Sequence, residues 1–106
     1  MSRVIDRGYG FGLFFIIVDE FGAKEDLAGA TIEWRLAASD SSSVLLDRDA
    51  SGMIVSIEAS TALITLTKLE TAGLAPGRYY YQLAVAPVGK ESRIYDSGFL
   101  TVRARL

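Results

Sequence analysis

The stretch Leu66 to Leu83 reads Leu-Thr-Lys-Leu-Glu-Thr-Ala-Gly-Leu-Ala-Pro-Gly-Arg-Tyr-Tyr-Tyr-Gln-Leu, and it decides the fold. Leu66-Thr67 ends an apolar run, and Lys68 to Ala72 is one turn of good helix formers with Thr67 in the N-cap position. Pro76-Gly77 sets a turn, because Pro fixes φ and Gly adopts backbone angles that other residues avoid. The chain then alternates, with Tyr79, Tyr81, Leu83 and Val85 on one side. A strand, a short helical corner and a strand led by Tyr make a crossover between two sheets of a β-sandwich, the Tyr pinning the connection.

The flanking sequence repeats the period of two. Tyr9 to Val18 reads as a strand with Tyr9, Phe11, Leu13, Phe15 and Ile17 on one face. Phe14, Ile16 and Val18 make the other face apolar as well, the mark of a strand buried on both sides or facing a partner. Thr31 to Leu36 alternates with Ile32, Trp34 and Leu36 inward. Val44 to Leu46 is a short strand, Asp47 to Gly52 a turn, and Met53 to Ile57 a strand with Met53, Val55 and Ile57 on one side. Leu63 to Thr67 places Ile64 and Leu66 inward. Pro87 to Lys90 closes a hairpin, and Ser92 to Leu106 is the last strand, with a bulge at Ser97-Gly98. About seven strands at this spacing predict an all-β, immunoglobulin-like antiparallel sandwich, with one short helical turn before the Tyr-rich strand. The expected organisation is an N-terminal arm over residues 1–8 and one domain over 9–106.

Composition narrows the chemistry. The 106 residues suit one domain, and half of them are hydrophobic, enough for a core without metal or disulfide staples. There is no Cys and no His, so disulfides, the commonest general base and the usual transition-metal ligand are all missing. Eleven basic and 13 acidic residues mix along the chain for a net charge of −2, without the basic patch that nucleic acid requires. The longest apolar run, Gly12 to Val18, falls far short of the ~20 residues of a membrane helix. Asp6 beside Arg3 and Arg7, and Asp19-Glu20 after the run, do not suit a signal peptide, so synthesis in the cytosol without signal-peptide export is the expectation.

Asp47, Asp49, Ser51, Gly52, Ile54 and Glu58 stand at the spacing of a calcium loop, where oxygen ligands alternate around a sharp Gly turn and a carboxylate closes the shell. The flanks read as strands where a calcium loop needs helices, so a polar turn is expected and no metal or cofactor is assigned. Ser41, Ser42 and Ser43 have no His partner, and nothing in the sequence pairs them with Lys68 or Lys90. Glu20, Glu25 and Asp26 lie at turns, where acidic residues are ordinary. The chain is therefore read as non-enzymatic. Phe14, Ile16 and Tyr80 are expected to form an apolar contact patch. Arg103 and Arg105, alternating outward on the last strand, either guard a sheet edge or pair with a neighbouring subunit.

The order of several short motifs resembles a known family. Asp26-Leu27-Ala28-Gly29-Ala30-Thr31-Ile32, then Leu66-Thr67-Lys68-Leu69-Glu70-Thr71, then Pro76-Gly77-Arg78-Tyr79-Tyr80-Tyr81-Gln82-Leu83, then Gly98-Phe99-Leu100-Thr101-Val102 resemble the small immunoglobulin-like structural proteins of tailed bacteriophages, including upper-baseplate N-terminal domains. Where many of those proteins carry a Pro before the first motif, this chain has Ala23-Lys24. The resemblance implies a virion component of the tail, baseplate, head decoration or fibre attachment. It implies other virion proteins and copies of itself as partners, no nucleic acid, no membrane, and no catalytic residues. Leu74, Pro76, Gly77, Tyr79 or Tyr80, and Leu83 also resemble the corner of a fibronectin type III module. That gives the alternative of a fibronectin-like or carbohydrate-binding surface module.

Overall fold

The computed structural model describes residues 2–38 and 44–104. Its strands are β1 (Ser2–Asp6), β2 (Phe11–Ile16), β3 (Thr31–Ala37), β4 (Val44–Asp49), β5 (Ile54–Ser56), β6 (Thr61–Leu66), β7 (Gly77–Ala86) and β8 (Arg93–Arg103). A 3-10 turn (Ala50–Gly52) precedes β5, and a five-residue helix, α1 (Lys68–Ala72), separates β6 from β7. One sheet runs β1-β8-β7-β3-β4 and the other β2-β6-β5. Every pairing is antiparallel except β1 with β8. The chain changes sheet four times: between β1 and β2, between β2 and β3, between β4 and β5, and across α1. That is the Greek-key winding of an immunoglobulin-like sandwich.

The inner faces are those the alternation predicts. Ile32, Trp34 and Leu36 of β3, Leu13 and Phe15 of β2, Ile64 and Leu66 of β6, and Tyr81, Leu83 and Val85 of β7 are buried in one core. Each large side chain that leaves water there contributes about 1.5–3 kcal/mol. Among the described residues no helix is long and apolar enough to cross a membrane, and the apolar run from Gly12 lies largely within β2.

The crossover corner is built as its sequence suggests. Thr67 caps α1 by accepting from the Glu70 N–H, and the Glu70 carboxylate accepts from the Thr67 N–H in return. The Tyr79 hydroxyl donates to the Ala75 carbonyl at 2.7 Å, which ties the start of β7 to the loop below it. Burial pushes the Glu70 carboxyl up, but the Thr67 N–H and the Arg48 guanidinium reverse this and leave it below its ordinary 4.5. A lowered carboxyl pKa stabilises the fold above the unfolded value, and that contribution fades as the pH falls through the folded value. In urea titrations, the stability gap between wild type and Glu70→Gln should therefore be widest at neutral pH and close below about pH 4.

Four expectations need correction. The arm expected over residues 1–8 is, from Ser2 on, part of the domain: Ser2–Asp6 pairs with Phe99–Arg103, and Ile5 is buried in the core. That adds an eighth strand to the expected seven. The turn expected at Asp47 to Gly52 begins later, because Asp47, Arg48 and Asp49 pair with Arg35, Trp34 and Glu33 on β3. The bulge in β8 lies at Tyr95, between Ile94 and Asp96, where the pairing with β7 shifts. Gly98 instead stays in register opposite Tyr81, buried on the core side. Finally, Ile57 follows β5 in a turn and is exposed.

Candidate functional site

The three-stranded sheet carries an apolar outer face. Inward packing of Leu13 and Phe15 leaves Phe14 and Ile16 outward, because successive side chains alternate. The register puts Phe14 beside Leu63 of β6, and Leu63 beside Ile54 of β5. A single rung of apolar side chains therefore crosses the whole sheet, with Ile16 on the next outward rung. Phe14 is 55% exposed, Ile16 58% and Ile54 68%. A contiguous exposed apolar strip of this kind marks a contact surface more than scattered surface Leu or Val does. Leu63 and Ile54 are the members that sequence reading missed. Their signal was present, since each is out of phase with an inward neighbour, Ile64 or Val55.

Tyr80 does not join this patch. It lies on the outer face of the five-stranded sheet, on the opposite side of the sandwich from Phe14 and Ile16. There it packs edge-on against Phe99, with ring centres 5.5 Å apart, and the Arg78 guanidinium stacks 3.9 Å from the Phe99 ring centre. The expectation of one patch fails because Phe14 and Tyr80 belong to strands of different sheets.

Arg103 does not guard an edge either. β8 lies between β1 and β7, and the Arg103 Nε donates to Asp6 at 2.5 Å. The bond to Asp6 raises the Arg103 pKa above its ordinary value. Arg105 lies outside the described residues, as do Ser41, Ser42 and Ser43.

The edge that is guarded belongs to β2. The Tyr95 hydroxyl donates to the Ile16 carbonyl at 2.6 Å and accepts from the Val18 N–H at 3.2 Å, and Arg93 donates to the Val18 carbonyl at 2.7 Å. Side chains of β8 thus occupy the outer backbone groups at one end of β2. Among the described residues, none pairs along that edge at Gly12 and Phe14.

The acidic motif does not make a metal cage. Asp47 and Asp49 sit on β4, and the Asp49 carboxylate turns back to accept from the Ser51 N–H at 3.0 Å and the Ser51 hydroxyl at 2.6 Å. Those bonds, the side-chain one foremost, hold its pKa below 3.8. Glu58 lies beyond β5, and among the described residues no three acidic side chains converge on a point that a metal would fill. A cleft of about 410 Å³ beside Asp47 and Asp49 is lined also by Glu33, Arg35, Arg48 and Gly52. Its Arg35 is paired with Glu33 at 2.6 Å. Glu25 is buried, its carboxylate 3.3 Å from Lys90 and its carbonyl accepting from the Ser60 hydroxyl, so it is engaged within the fold.

The strand order, with its Greek-key winding and its Tyr-pinned corner, defines the class: an immunoglobulin-like β-sandwich. No family model matches the chain, and no curated protein does. Among solved structures it is similar to one described as Drosophila OTK, extracellular domains 3-5, at 14% identity with a TM-score of 0.39. That similarity covers 95% of this chain and 32% of the other, so this chain spans about a third of that one's length.

Proposed function

We propose that this chain is a non-enzymatic assembly module of a tailed-phage or phage-like particle, acting through protein–protein contact. The observation that carries the contact reading is the apolar rung Phe14–Leu63–Ile54 on the outer face of β2-β6-β5, exposed at Phe14 and Ile54 and half-buried at Leu63. A rigid sheet presents it, and burial of such area drives association. The particle reading is supported by the ordered motifs from Asp26 to Val102 that resemble phage structural proteins.

Mass spectrometry of density-purified particles from the source strain tests the particle reading. Stoichiometric recovery supports it, and the copy number separates head from tail. Recovery only in a soluble or cell-surface fraction refutes it. The contact reading is tested by Phe14→Glu and Ile16→Glu. Both side chains are exposed, so thermal melting should move little, within about 0.5 kcal/mol, while incorporation into particles is lost. Unfolding of either variant would mean that this face is needed for the fold and would defeat the contact reading there.

A further inference from the structure

We infer that a second copy of this chain pairs with the open edge of β2, antiparallel and about a two-fold axis at Leu13. The inference rests on the contact reading of the β2 face and names the partner for its edge.

Two bonds show which groups face outward. The Ile17 N–H donates to the Ser60 carbonyl at 2.7 Å, which directs the odd residues of β2 toward β6. The Tyr95 hydroxyl bridges the Ile16 carbonyl and the Val18 N–H, which places the even residues' backbone groups on the outer edge. The N–H and C=O of Gly12 and Phe14 therefore lie on the side that no strand pairs with among the described residues. The open stretch is short. At one end the Gly8 N–H is held by the Thr71 hydroxyl, and at the other Tyr95 and Arg93 hold Ile16 and Val18.

Side chains select the partner and the register. From Gly10 to Ile16 the outward residues run Gly10, Gly12, Phe14, Ile16. With the axis at Leu13, Gly12 exchanges both backbone bonds with Phe14 of the partner subunit. Phe14 then lies over the partner's Gly12, while Ile16, whose carbonyl Tyr95 holds, stays outside the pairing. Each Phe14 side chain meets a residue that has none. No residue from Gly8 to Val18 is charged, so the strand of a second copy brings no charge to the contact. Strand addition of this kind draws its affinity from main-chain bonds and its specificity from alternate side chains. One strand pair covers less than the ~1,600 Å² of a standard interface, so the dimer is weak.

The test is sedimentation equilibrium of the purified chain at high micromolar to millimolar concentration. Wild type should show a monomer–dimer equilibrium. Gly12→Lys should raise the dissociation constant more than about tenfold, by adding a charge and filling the space for the partner's Phe14. A Cβ at Gly12 meets only the Leu63 Cδ1 at 3.5 Å, an ordinary contact, so the variant should melt like wild type. The chain has no native Cys, so register is read by oxidation. Gly12→Cys mixed with Phe14→Cys should cross-link, and each alone should not. A wild type that stays monomeric, a Gly12→Lys that dimerises as tightly, or cross-linking of either Cys variant alone would overturn the inference. A monomeric chain recovered from particles would leave the particle reading standing.

Discussion

Trp34→Ala should destabilise the domain by ~3–5 kcal/mol, the range for deleting a fully buried Trp. A small domain has only about 5–15 kcal/mol in total, so the variant should melt far below wild type or fail to fold at room temperature. Trp34 is completely buried at the centre of β3, with Arg48 of β4 and Leu83 of β7 as its register partners. Its indole N–H has no hydrogen-bond partner among the described residues. A buried donor left unmade costs about 1–3 kcal/mol. Trp34→Phe sheds that donor while keeping a ring, so it should cost less than about 2 kcal/mol. Chemical denaturation of both variants checks the pair. If Phe proves as damaging as Ala, the indole's own shape, and not apolar volume, holds the core.

Thr71→Val should cost about 2 kcal/mol although it keeps the side chain's size and shape. Thr71 is the buried joint between the α1 corner and the entry to β2. Its hydroxyl accepts from the Gly8 N–H at 3.1 Å and donates its one proton to the Tyr9 carbonyl at 2.8 Å, with the Lys68 carbonyl 3.1 Å away. Valine leaves the Gly8 N–H and the Tyr9 carbonyl without that partner. Arg7, whose Nε donates to the Leu74 carbonyl at 2.9 Å, would then hold the junction alone. Thr71→Ser keeps the hydroxyl and loses one methyl, about 0.8 kcal/mol. Amide exchange at Gly8 discriminates the two: it should accelerate in the Val variant and change little in the Ser variant.

The sequence shows a local feature well when one short-range rule governs it. Ile32, Trp34 and Leu36 announce an inward face because a strand has a period of two. Thr67 and Glu70 announce their cap because the bonds span three residues. Features set by distant partners are harder to see. β1 does not stand out because Ser2-Arg3-Val4-Ile5-Asp6 is short and mixed, and only its pairing with β8 makes Ile5 a core residue. Asp47 and Asp49 suggest a turn by propensity, but a ready partner in β3 overrides that preference. Tyr80 reads as part of the Phe14 patch because alternation tells inside from outside without telling which sheet a strand enters. Gly98 suggests a bulge, whereas it stays in register and the shift falls at Tyr95, where the pairing partners on β7 decide it.

The parallel pairing of β1 with β8 also bears on how the domain carries load. The two strands lie side by side and run the same way, so tension on the domain's two ends pulls β1 toward one pole and β8 toward the other. Such tension loads the rungs from Ser2–Phe99 to Asp6–Arg103 in shear, together, where a hairpin would peel open one bond at a time. The Asp6–Arg103 ion pair and the Arg7 N–H to Arg103 carbonyl bond lie at the same end of this clamp. Resistance to stretching would then depend on a few rungs that join residues 97 positions apart, and the domain would act as a stiff link until they give way.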